Sequence, residues 1–201
     1  MQPSLIMIGI GFIVLVFVYF VFFYPWQLHW GATRAEVQRP MPGDEIVGRP
    51  SLDATRAVTI HASAQNIYPW IVQMGITRGG WHRNGWLENL GEESQESILP
   101  EHQDLQAGDL IPVRQDGKPG MWVKYLRKNK WVLWWDRSGD TSWVWEIQPE
   151  GNGNARLIAR VRTKYKWFSP AVPFNPLTEF FHILMMRKSM LGIKRRAERP
   201  L

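Results

Sequence analysis

The chain has 201 residues and no cysteine. Disulfides, thiolate nucleophiles and zinc–thiolate sites are therefore excluded. It has no charged side chain before Arg34, so its N-terminal flank, Met1-Gln2-Pro3-Ser4, lacks the basic region that opens a secretory signal. There is no phosphate-binding glycine loop, no dinucleotide fingerprint and no nucleophile elbow; Gly79-Gly80 alone is none of these. His29, His61, His82, His102 and His182 show no ligand spacing, so neither a metal site nor a cofactor is expected. Nothing in the chain has the pattern of a nucleic-acid-binding module, and nucleic acid is not an expected partner.

Against these absences stands one long apolar run, Leu5 to Tyr24, with no charge, Asn, Gln or Pro. As a helix it is about 30 Å long, the thickness of a bilayer's hydrocarbon core. It ends in bulky Tyr24-Pro25-Trp26 rather than in the small residues of a cleavage site. The expectation is an uncleaved, single-pass anchor over residues 1–30. Tyr24, Trp26 and Trp30 would then contact the membrane at headgroup level, where amphipathic rings prefer to sit. Arg34 and Arg39 flank the run only on its C-terminal side, so the positive-inside bias places the rest of the chain in the cytoplasm.

The net charge of +6 is concentrated at the other end. Between 187 and 199, six basic residues face one acid, Glu198, for a net +5, leaving +1 elsewhere. Lys194, Arg195 and Arg196 are candidates for contact with anionic lipid headgroups. The plainer reading is a solvated helix end whose charge complements the helix dipole.

Residues 31–51, with Arg39-Pro40-Met41-Pro42-Gly43-Asp44 and Gly48-Arg49-Pro50, carry turn and extended signals and read as a linker. Residues 52–201 are long enough for one core. Val58, Ile60 and Ala62 alternate onto one face of a strand, and Ser63 can cap a helix running to Met74. Strands are expected over 109–114, 121–126, 130–137, 141–148 and 155–166. Between them lie Lys128-Asn129, Ser138-Gly139-Asp140 and Gly151-Asn152-Gly153-Asn154, all hairpin chemistry. A long helix from Pro176 to Ala197 closes the chain. The fold class is α+β: an N-terminal transmembrane helix, then a curved antiparallel sheet around a C-terminal helix.

That order of elements resembles the START-like superfamily, which includes the polyketide cyclase/dehydrase relatives (SRPBCC). The motifs that carry the resemblance include Trp30-Gly31-Ala32-Thr33, Pro42-Gly43-Asp44, Trp70-Ile71-Val72-Gln73-Met74-Gly75, Arg78-Gly79-Gly80-Trp81, Trp86-Leu87-Glu88-Asn89-Leu90, Ala107-Gly108-Asp109 and Arg156 to Arg162. The chain departs from the pattern at His82-Arg83-Asn84-Gly85, where a Tyr- and Asp-bearing stretch would be expected. The resemblance implies a deep apolar cavity between sheet and last helix that holds hydrophobic molecules.

Candidate wall residues are Arg78, Trp81, Trp86, Trp135, Trp143, Met186 and Met190. The competing reading of the aromatics and methionines is an ordinary core. Arg78 could meet a ligand anion or pair with Glu88. Glu88 and Asp109 are the candidate catalytic acids, and the bland alternatives are a surface glutamate and a turn aspartate. The basic side of the strand bearing Arg156, Arg160 and Arg162 reads as a solvated or membrane-facing surface. Three functions remain open. The first is a membrane-anchored binder of a lipid-like hydrophobic or amphipathic ligand. The second is a cyclase- or dehydratase-type enzyme, and the third a subunit docking partner proteins of a membrane complex.

Overall fold

A computed structural model describes residues 3–81, 94–113, 120–165 and 175–199. The apolar run is helical: α1 (Pro3–Val18), a π-helical turn (Tyr19–Phe23) and α2 (Tyr24–Leu28) follow without a break. The Tyr24 N–H bonds to the Tyr19 carbonyl five residues back. The widened turn falls where Pro25 has no N–H to continue the α ladder. The stretch Gly9–Leu28 has a mean hydropathy of 2.1 and is long and apolar enough to cross a membrane. Phe12, Leu15, Phe17 and Phe22 on it are exposed.

Next come α3 (Arg34–Gln38), β1 (Leu52–Ile60), α4 (Ala64–Val72), β2 (Leu110–Ile111), β3 (Met121–Arg127), β4 (Trp131–Trp135), β5 (Thr141–Gly151), β6 (Asn154–Thr163) and α5 (Asn175–Ala197). The strands form one antiparallel sheet in the order β1-β6-β5-β4-β3-β2. With α4 and α5 packed on one face, this is the helix-grip architecture implied by the family resemblance. The expected hairpins are present: Asn129 and Asn152, both with positive φ, sit in the tight turns before β4 and β6.

Register decides which residues face the helices. One cross-strand row runs Arg56, Ala159, Trp145, Val132; its neighbour runs Ala54, Val161, Trp143, Trp134. These rows form the inner face. They share the main core with Ile67, Ile71 and Met74 around α4 and with Met186, Met190, Ile193 and Ala197 of α5. On α5, Met186, Met190 and Ile193 are buried. Leu184 and Leu191 of the same helix are exposed.

The segment 31–51 is not a loose linker. It packs across the outer face, where Met41 is buried with Ala57, Leu133, Val144 and Ile158 in a second core. Thr33 and Glu36 form a capping box on α3. The arginines of β6 bind this strap. Arg156 pairs with Glu36 at 2.7 Å, Arg160 with Asp44 at 2.7 Å, and Arg162 with Asp44 and with Asp53. Arg160 also donates to the carbonyls of Glu36, Val37 and Arg39 and to Thr55 Oγ1. The basic side of β6 is therefore a covered, ion-paired layer, which corrects its reading as a solvated or lipid-facing surface. The acids that cover it come from more than a hundred residues away in sequence.

The N-terminal helix is tied to the domain without slack. The Ala57 N–H, on the free edge of β1, donates to the Trp30 carbonyl. Gly31 (φ +71°) is required there, because a Cβ would lie 2.1 Å from the Ala57 oxygen. Trp30 packs on the main core and carries the Arg187 guanidinium 5.0 Å from its ring centroid.

Candidate functional site

Tryptophans dominate the inner face. Trp134 of β4 meets Trp143 of β5 edge-on with centroids 5.2 Å apart, and Trp145 lies 5.4 Å from Trp143 and 6.2 Å from Trp134. Trp81 closes the group, parallel to Trp143 at 5.9 Å and edge-on to Trp134 at 6.3 Å. Such pairs contribute about 0.5–1.5 kcal/mol each beyond area burial. Trp134 and Trp145 are fully buried, yet among the described residues the indole Nε1 of each has no hydrogen-bond partner. A buried indole N–H normally finds an acceptor, and leaving one unmade costs about 1–3 kcal/mol.

Trp81 reaches this cluster because of the turn before it. The Gly79 N–H bonds to the Gln73 carbonyl, and Gly75 and Gly80 bridge to each other. Gly80 (φ +73°) would bring a Cβ to 2.9 Å from the Ser94 Cα. The glycines therefore serve close packing, not anion binding. Gln73, buried completely, donates to the Ser97 carbonyl and accepts from the Leu99 N–H and from Gln103. This role could not be read from a lone glutamine in a helical pattern.

Arg78 donates from Nη2 to the carbonyls of Val72 and His102, tying the end of α4 to the turn at Pro100–His102. Burial lowers its guanidinium, and the nearby Asp109 charge only partly offsets this. The Asp109 carboxylate accepts from the Gln106 N–H at 2.8 Å, and its carbonyl accepts from Val123. It closes the turn entering β2, which was the bland alternative. Glu88 and Trp86 lie outside the described residues.

Trp135 requires correction. It faces away from Trp134 by strand alternation and pairs across the sheet with Trp122 on the outer face, where Lys124 covers it at 3.9 Å. Both faces of β4 carry tryptophan, so composition could not say which was inward. Met186 and Met190 are buried on the inner side, but there they fill core. The basic end of α5 is also corrected. Lys194 donates to the Thr59 carbonyl and pairs with Glu198, while Arg196 is buried against Glu96 and the Gln95 carbonyl. Of the three proposed headgroup contacts, Arg195 alone is substantially exposed.

One inner-face residue was overlooked. Arg56 is 1% exposed in the row with Ala159 and Trp145. Its Nε donates to the Gln27 carbonyl at 2.9 Å and its Nη1 to the Met186 sulfur at 2.8 Å. Among the described residues no carboxylate pairs with it. Burial lowers its guanidinium to about 10. The signal was present in the sequence: Arg56 has the parity of Val58 and Ile60.

No family model matches the chain, and no curated protein matches it significantly. Solved structures do. The polyketide-cyclase-like protein Cgl2372 from Corynebacterium glutamicum is 13% identical, covering 71% of this chain and 89% of its own, with a TM-score of 0.46. The self-sacrificing resistance protein CalC from Micromonospora echinospora is 10% identical, covering 74% and 97%, at 0.42. Aha1 from Colwellia psychrerythraea is 16% identical, covering 72% and 98%, at 0.40. These likenesses concern the course of the chain, and no residue's role follows from them.

Proposed function

We propose that the N-terminal helix anchors this chain in a membrane and that the helix-grip domain binds a lipid-like, apolar or amphipathic ligand at the bilayer surface, against the inner-face tryptophans. The observation that carries the reading is the pair of buried indole N–H donors, Trp134 and Trp145, without acceptors among the described residues, in one aromatic cluster. A ligand oxygen would satisfy them in a setting that is otherwise apolar. Retention of the helix is supported by its junction: cleavage of a leader would strip Arg56 and Ala57 of the Gln27 and Trp30 carbonyls. Arg34 and Arg39 argue for the cytoplasmic side. Binding is preferred to acid–base turnover because no Asp or Glu occupies an inner-facing paired position of β1 or β3 to β6.

The test is native mass spectrometry of the full-length protein in mild detergent, with extraction and identification of copurifying molecules. A defined lipid-like mass bound at fixed stoichiometry is expected. Protein that is ligand-free in repeated preparations and ignores a lipid panel would overturn the reading and favour a side-chain-filled docking platform for a membrane complex. Chemical conversion of the bound molecule would favour the cyclase or dehydratase alternative.

A further inference from the structure

Helix α5 turns Met186, Ser189, Met190, Ile193 and Arg196 into the domain. Its opposite side is not an ordinary polar surface. Leu184, Lys188, Leu191 and Arg195 are exposed at i, i+4, i+7 and i+11, the spacing that sets side chains in one line along a helix. Met185 and Arg187 flank that line and are exposed as well. Large apolar and basic side chains thus alternate along the stripe, and the sequence has no acid between Glu179 and Glu198. The one described carboxylate that meets it, Glu96 at 3.4 Å from Arg195, comes from another segment. A solvated helix face usually intersperses both signs of charge.

The stripe starts where the N-terminal helix meets the domain. α2 packs against α5, and the Arg187 guanidinium stands 5.0 Å from the Trp30 ring centroid. Met186, on the turn between Leu184 and Lys188, accepts from Arg56, which also holds the Gln27 carbonyl. The junction has no slack, since Trp30 and Gly31 lie fixed against Ala57 of β1. A domain held this way cannot swing freely at the end of a membrane-spanning helix, and the surface around the junction is the one turned to the bilayer. Exposed Trp26 stands at the same junction, and tryptophan prefers the headgroup level. The stripe's chemistry fits that position: leucine and methionine enter the boundary between headgroups and acyl chains, while lysine and arginine meet negative headgroups.

We propose that the outward stripe of α5, from Leu184 to Arg195, docks the domain on an anionic leaflet of the membrane that the N-terminal helix enters. The proposal rests on the membrane-anchor half of the function proposed above and is independent of the tryptophan cluster. Contact with headgroups falls to Arg187, Lys188 and Arg195, since Lys194 and Arg196 are held by the domain. The rival account is a solvated helix whose exposed apolar residues are the scattered ones any surface carries.

The chain has no cysteine, so Leu184→Cys, Leu191→Cys and Tyr125→Cys each give full-length protein with a single thiol for a bimane label. Tyr125 is exposed on β3, toward the opposite edge of the sheet from β1, and serves as the reference. The labelled proteins are placed in phosphatidylcholine nanodiscs containing phosphatidylglycerol. They are then quenched from the lipid by doxyl-phosphatidylcholine or from water by iodide. Labels at 184 and 191 should be quenched by the doxyl lipid and lose iodide quenching, and the label at 125 should do the reverse. Omitting phosphatidylglycerol should restore iodide quenching at 191, because the cations then lose their negative partners. Lys188→Glu should restore it in the presence of phosphatidylglycerol, and the lipid arm carries the test if that variant fails to fold. Iodide quenching at 184 and 191 in phosphatidylglycerol discs overturns the proposal. So does a 191 label indifferent to phosphatidylglycerol, or shielding at 125 equal to that at 184 and 191. Shielding from iodide without doxyl quenching overturns it too, since protein then covers the stripe. Failure to enter nanodiscs at all would bring down the membrane-anchor reading as well, whereas entry with water-exposed labels at 184 and 191 removes this face alone.

Discussion

The two faces of the sheet treat their buried arginines in opposite ways. On the outer face Arg39, Arg156, Arg160 and Arg162 each reach a carboxylate, and the 31–51 strap supplies most of the remaining acceptors. On the inner face, among the described residues, Arg56 has no acid and Trp134 and Trp145 have no acceptor. The outer layer leaves the Arg39 and Arg162 Nε atoms without hydrogen-bond acceptors among the described residues, yet each of its guanidinium charges has a carboxylate. Satisfied groups indicate structure, and unsatisfied ones indicate where something else belongs.

The sharpest way to break this contrast is Arg160→Ala. Arg160 is 4% exposed and joins β6 to the strap through three carbonyls besides Asp44, and to β1 through Thr55. Its loss should cost about 3–5 kcal/mol, the range for breaking a buried pair, read as a large drop in melting temperature with loss of hydrogen-exchange protection over 31–51. Arg56→Met should leave ligand-free stability nearly unchanged, because it removes a buried charge that no described acid compensates. Equal losses for the two substitutions would dissolve the distinction.

A smaller effect concerns the indoles. Trp145→Phe should weaken binding of the copurifying ligand about ten-fold, one hydrogen bond's worth, measured by titration of lipid into delipidated protein. Trp131→Phe on the outer face should not change it.

The smallest effect is a pH dependence. Burial pushes the Glu36 carboxyl up, but the hydrogen bond from Arg156, with help from Thr33, pushes it down further, so it ends below its ordinary 4.5. A depressed carboxyl stabilises the fold above that ordinary value and loses its contribution as pH falls through the folded-state value. Melts between pH 7 and pH 3 should therefore show a shallower acid loss for Glu36→Gln than for the unmodified chain.

Most of the architecture was legible because it is local. Alternation marked β3 to β6, Asn and Gly marked the turns, and the apolar run marked the N-terminal helix. The strap was not legible, because its partners lie far apart: Glu36 and Arg156 are separated by 120 residues, and a run of Pro and Gly reads as a linker whether or not it packs. The tryptophan cluster was half legible. Trp143 was singled out and lies on the inner face, but Trp135 was chosen over Trp134, since only the pairing of Trp134 with Trp143 reveals the inward face of β4. Asp109 and Arg78 were singled out for their motifs, and both serve turns through main-chain groups that sequence does not display.

The central claim is that the inner-face donors await a ligand. Its most direct measurement is the indole N–H region of a nitrogen-15 correlation spectrum of the full-length protein, assigned by single Trp→Phe substitutions and recorded before and after addition of the lipid extract. Downfield shifts confined to Trp134, Trp145 and their cluster neighbours, with Trp131 and Trp135 unmoved, are the predicted result. Unchanged Trp134 and Trp145 resonances with ligand bound elsewhere would contradict it.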